Sequence, residues 1–170
     1  MVDIHNLLSL LPAVNQKLNR DFGYTVDIGE LNGELSALDE VLDFDVENLL
    51  NAAKESILWK TYTADVRAIL EIALGKYKNV LDVYEYLDSI SVKDPDLFSR
   101  TAPKYKIDTR NLPLAIKELQ AKKEELGYYV KAIRMIIADC ASVEDYLNAI
   151  HHKCNALVLS AERRAFNSAL

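Results

Sequence analysis

Residues 66–87 read VRAILEIALGKYKNVLDVYEYL, and the spacing of their apolar side chains decides the fold. Val66, Leu70, Ala73, Tyr77, Val80, Tyr84 and Leu87 follow one another in steps of four and three, the seam of a helix packed lengthwise on another helix. The seven-residue series reaches back to Trp59. Gly75 in its middle costs about 1 kcal/mol relative to alanine, too little to end a helix of this length. Asp45 stands where an N-cap belongs, and Val46 opens the apolar pattern. From Asp45 to Ile90 a helix rises roughly 68 Å. A compact chain of 170 residues cannot bury such a rod, so an equally long partner helix is required.

The C-terminal part of the chain supplies that partner. Asn111 and Pro113 mark a helix start. Leu119, Leu126, Ile133, Cys140, Leu147 and Cys154 then hold a seven-residue spacing, with Ile116, Val130 and Ile137 as the alternating set. Near Ala141–Asp145 the seam shifts by three residues and resumes as Val143, Leu147, Ile150, Cys154, Leu157 and Ala161, so a short break capped by Ser142 is one reading and an irregularity within a continuous helix the other. Either way the sequence predicts an all-α protein with two long antiparallel helices in a coiled-coil-like hairpin. The hairpin occupies residues 45–170, with an inter-helix loop at about 91–111. The apolar stripe near the end is wider than one seam needs. Leu147, Ile150, Cys154, Leu157, Val158 and Phe166, with Leu159 beside them, are therefore candidates for contact with another subunit.

Residues 1–44 form an acidic region of short helices ahead of the hairpin. Leu7, Leu8, Leu10 and Leu11 make an apolar run, Pro12 is placed to open or kink a helix ending near Leu18, and RDFGYTVDIG at 20–29 reads as a connection. Leu31, Leu35, Leu38 and Leu42 return to helical spacing.

Composition excludes several classes of function. Five Gly and four Pro leave few places to break regular structure. No apolar run approaches the roughly 18 residues of a membrane span. The start, MVDIHNLLSLLPAV, lacks a basic region and a cleavage site and reads as mature protein. Cys140 and Cys154 are fourteen positions apart on one helix, roughly 21 Å, beyond disulfide reach. Both read as reduced core residues of a cytoplasmic protein. His151 and His152 point about 100° apart on a helix, poor geometry for one ion, so no metal and no cofactor is expected. No phosphate loop, HExxH, CxxC or GxSxG occurs, and the sequence predicts a protein that is not an enzyme.

Charge is divided unevenly along the chain. Residues 1–50 hold two basic and ten acidic side chains, a net of −8, whereas Arg100 to Arg134 holds nine basic and four acidic, a net of +5. The inter-helix loop places Arg100, Lys104, Tyr105, Lys106 and Arg110 close in sequence. Single-stranded nucleic acid is held by cations that track phosphates and by aromatic rings on which bases stack, and a KYK triplet meets both needs. A solvated loop with Tyr105 packed back on the hairpin is the competing reading. Lys76 and Lys78, followed by Tyr84 and Tyr86, form a second candidate; Tyr77 and Tyr84 fall on the seam and Tyr86 faces away from it. Tyr128–Tyr129 is ambiguous in the same way.

The tail from Asn148 to Phe166, NAIHHKCNALVLSAERRAF, resembles the C-terminal helix of the phage UvsY-type recombination mediators. Asn148-Ala149-Ile150, Ala156-Leu157 and Arg164-Ala165-Phe166 fall at the family's spacings without a gap. Ala52-Ala53, the late tyrosines of the first long helix and Tyr128-Tyr129 have counterparts in order. Where the family carries a Lys-x-Arg pair ahead of its tyrosines, this chain has Val80 and Asp82, with Lys76 and Lys78 a turn earlier. The resemblance implies a ring-like homo-oligomer in a phage-infected cell that binds single-stranded DNA. Such a protein helps a recombinase displace single-strand-binding protein. A helical structural or assembly protein, a phage virion or adaptor component without nucleic-acid binding, is the alternative.

Overall fold

A computed structural model of the chain describes residues 2–40 and 45–169. Every regular element among them is helical: α1 (His5–Phe22), α2 (Leu31–Asp39), α3 (Val46–Lys93), α4 (Pro95–Thr101), a 3₁₀ turn (Ala102–Tyr105) and α5 (Leu112–Ser168). None of the helices is long and apolar enough to cross a membrane. The chain divides into two units. One comprises Met1–Leu70 with Met135–Leu170, the other Glu71–Arg134.

In the first unit, α1 buries Leu7, Leu11, Val14 and Leu18, one stripe at four- and three-residue steps. Its N-cap residue, Ile4, has no capping side chain; Asp3 accepts the first N–H, that of His5, at 2.9 Å, and the next donors reach further. The carboxylate of Asp139 on α5 accepts the Leu7 N–H at 2.8 Å and the Asn6 side-chain amide at 3.2 Å, so an N-terminal donor of α1 is satisfied by another helix. Pro12 neither opens nor breaks α1, which begins seven residues earlier at His5. The proline ring and Leu8, whose carbonyl loses its helical partner, both lie on the exposed face, where water can serve that carbonyl. Gly23 ends the helix in the left-handed region at φ 74, returning its N–H to Asn19 O at 2.9 Å. Asn15 then fixes the following connection through two hydrogen bonds with the Val26 backbone, at 2.7 and 2.8 Å. Leu31, Leu35 and Leu38 of α2 are buried as their spacing predicts, and Leu42 lies outside the described residues.

Polar pairs join α3 to α5 within this unit. His151 Nδ1 lies 3.0 Å from Ala53 O, Lys60 Nζ donates to Asn148 Oδ1 at 2.9 Å, and Arg67 holds Glu144 through two nitrogens. As the residue number rises along α3 it falls along α5. A carbonyl only accepts, so His151 carries its proton on Nδ1 and its Nε2 accepts from Asn155 at 3.0 Å. α5 runs unbroken through Ala141–Asp145, and Ser142 donates back to Ala138 O instead of capping a new helix.

The second unit is built around Leu87, Ile90, Phe98, Ala102, Ile107, Ala115 and Leu119. Here two expectations need correction. Val80, placed on the seam by its spacing, is 42% exposed, and the half-buried Leu81 turns inward in its stead. The departure is local, since Ala73 and Leu87, one heptad to either side, are both buried. The stretch 91–111 is also not an open loop. Asp94 caps α4 by accepting the Leu97 N–H at 3.0 Å, Pro95 fills the first turn, and Phe98, Ala102 and Ile107 are buried. A helix of seven residues is too short to show periodicity, and the loop reading followed from that.

Candidate nucleic-acid interface

The helical connection of the second unit carries the cationic cluster that the sequence pointed to. Arg100, Lys104, Tyr105 and Lys106 are all exposed, Tyr105 at 42%. Their backbone is anchored from beneath by the buried Phe98, Ala102 and Ile107. The turn closes through Lys106, which adopts φ 63 and donates to Pro103 O at 3.1 Å, while the Ile107 N–H reaches Ala102 O at 3.3 Å. Thr109 Oγ1 ties the exit to Ser99 O at 3.0 Å. Cations and ring therefore stand on a braced platform, which lowers the ordering entropy that a bound strand would otherwise exact.

Arg110 behaves differently from the other cations. Its Nε donates to both oxygens of Asp108, at 3.0 and 2.9 Å, and Nη2 adds a third bond. The hydrogen bonds from Arg110 hold the Asp108 carboxyl down at about 2, and the same pairing raises the guanidinium. Arg110 is thus paired within its own loop, on the surface. The sequence signal is the Asp-x-Arg spacing at 108–110, which puts the two side chains within reach of each other. Arg100 keeps its charge open, its Nε donating to the backbone carbonyl of Asp96 at 3.3 Å. Lys123 donates to Asp88 at 2.8 Å and does not join the cluster.

Lys76 and Lys78 are exposed on α3 within the same unit. Fifteen residues of helix, about 22 Å, separate Lys78 from Lys93 at the end of α3, so they form a patch apart from the α4 cluster. Tyr77 is buried, Tyr84 half-buried, and Tyr86 exposed, the arrangement their seam positions imply. Tyr128 points outward with its ring edge-on to the half-buried Tyr129, centroids 5.2 Å apart.

The candidate subunit-contact residues separate into three groups. Leu147, Cys154 and Val158 are already buried by their own chain, so they serve its core. Ile150 and Leu157 are half-buried and line a groove with Leu38, Leu49 and Tyr146, whose hydroxyl donates to Asp39. Phe166 and Leu159 stay exposed. Both cysteines are buried, free thiols; burial pushes Cys140 up to about 12, with Glu144 and Asp139 adding to the effect, and raises Cys154 as well. No group of three or more His, Cys, Asp and Glu among the described residues is placed to hold a metal ion.

No protein-family model matches the sequence, and no curated protein or solved structure is significantly similar to the chain.

Proposed function

We propose that this chain is a non-enzymatic, single-stranded-DNA-binding protein of the recombination-mediator kind, acting as a homo-oligomer on an antiparallel pair of long helices. One observation carries the DNA part: Arg100, Lys104, Tyr105 and Lys106 are all exposed along one short segment anchored by the buried Phe98, Ala102 and Ile107. The cations would follow phosphates, and a base stacked on Tyr105 would contribute about 1–3 kcal/mol. Three phosphate contacts per subunit are weak alone, and a homo-oligomer multiplies them through effective concentration. The descending order of the Ala53–His151, Lys60–Asn148 and Arg67–Glu144 pairs supports the antiparallel arrangement. The recombinase and single-strand-binding partners rest on the resemblance of residues 148–166 alone.

The test is fluorescence anisotropy with a labelled oligo-dT at low and at raised salt. Binding that weakens steeply with salt, and that is lost when Arg100 and Lys104 become Ala and Lys106 becomes Gly, supports this reading. Absence of binding at low salt sinks it. A helical assembly protein without nucleic-acid affinity is then the better account, favoured by the apolar side chains exposed near the end of α5.

A further inference from the structure

The last turns of α5 present a face that no described residue covers. Leu159 is 56% exposed and Phe166 67%, and Glu162 and Arg163 stand between them, all four bounding one shallow concavity. Positions i, i+3, i+4 and i+7 share a helix face, here about 10.5 Å long. Read from either end, the order of this face is apolar, charged, charged, apolar, and the two charges are opposite in sign.

Such a face is complementary to itself in one orientation. A second copy laid antiparallel, about a two-fold axis between positions 162 and 163, sets each Leu159 against Phe166 of the other copy. The same operation sets each Glu162 against Arg163 of the other copy. A parallel pair in register would instead place like charges together, so the charges select the antiparallel arrangement. We propose that Leu159, Glu162, Arg163 and Phe166 form an isologous, antiparallel contact between two copies of this chain.

An isologous contact closes at two subunits, in contrast to the ring that the family resemblance implies. Leu147, Cys154 and Val158 cannot serve a subunit contact without leaving their own core. Two helical turns per copy fall below the roughly 1,200 Å² of a stable interface, so association is concentration-dependent. The inference rests on the self-association part of the proposed function and is independent of its nucleic-acid part.

Sedimentation velocity of the full chain, without nucleic acid and from about 5 to about 500 µM, reads the contact directly. Wild type shows a monomer–dimer equilibrium. E162R and R163E each weaken the dimer by about tenfold or more, because each creates two like-charge contacts. The double variant E162R/R163E restores dimerisation, and an equimolar mixture of the two single variants associates more tightly than either alone. A wild type that stays monomeric throughout overturns the proposal. So does an assembly that ignores the single charge reversals, or single-variant losses that neither the double variant nor the mixture recovers. The face is exposed in the monomer, so circular dichroism of all variants remains that of wild type. With no DNA in the cell, failure here leaves the strand-binding reading standing.

Discussion

Lys106 occupies the left-handed region at φ 63, where a side chain is unfavourable and glycine is at home. Lys106→Gly therefore removes a charge from the platform while relieving backbone strain. Stability by chemical denaturation should hold or rise by up to about 1 kcal/mol, whereas oligo-dT affinity falls. A loss of both would mean that the lysine supports the turn and is not a strand contact. Asp108 offers the complementary experiment. Asp108→Asn removes the anion that engages Arg110, and the released cation should add about one phosphate contact, steepening the slope of log affinity against log salt by about 0.7. An unchanged slope would show that Arg110 points away from the bound strand. The Asp108 carboxyl is lowered in the folded chain, so its pairing contributes at pH above the unfolded value of 3.8 and is lost as pH falls through about 2. The neutral-pH binding assay thus compares a fully ionised Asp108 with a neutral amide.

At the scale of elements, α1 depends on a cap that lies 132 positions away in the chain. Asp139→Ala leaves the Leu7 N–H and the Asn6 amide without their acceptor, at a cost of about 1–3 kcal/mol in a thermal or denaturant melt. Asp139→Asn keeps an acceptor oxygen and should lose markedly less; equal losses would point to the charge itself. Asp3 marks the helix start locally by accepting the His5 N–H, but the Asp139 cap has no local signal. The long helices were legible because their pattern repeats many times. All six members of the α5 series from Leu119 to Cys154 are buried, and a single slip cannot hide a period repeated so often. Val80 is the counterexample on α3, a local departure within a series whose neighbours Ala73 and Leu87 are buried. α4 was not legible, since it has too few residues to display a period and owes its place to Phe98, Ala102 and Ile107 clustering with residues of α3 and α5. The candidate interface was read in composition but not in availability. Which of its cations remain open, and which of the C-terminal apolar residues their own chain already buries, depends on contacts made after folding.

The charge of the whole molecule sets a problem for a DNA-binding reading, because a net −6 repels a polyanion. The acidic residues concentrate in the first 50 positions, and they cannot be removed by truncation, because α1 and α2 supply Leu7, Leu11, Val14, Leu18, Leu31 and Leu35 to the first unit's core. Neutralising exposed carboxylates leaves that core intact. Glu30, Glu40 and Glu47 are exposed, and their joint change to Gln brings the net charge from −6 to −3. Field effects act over about one Debye length, roughly 10 Å at 0.1 M salt and 30 Å at 0.01 M. If the acidic region opposes strand binding through its field, the triple variant should bind oligo-dT about threefold or more tightly than wild type at low salt, and the two should converge as salt is raised. A constant advantage at every salt concentration would instead indicate a short-range contact of these carboxylates with the DNA or with the basic cluster. Equal affinity throughout would show that the acidic region has no part in binding and leave it available for a basic protein partner. The direction of the salt dependence, more than the affinity itself, therefore decides whether the two charge blocks of this chain act on the same ligand.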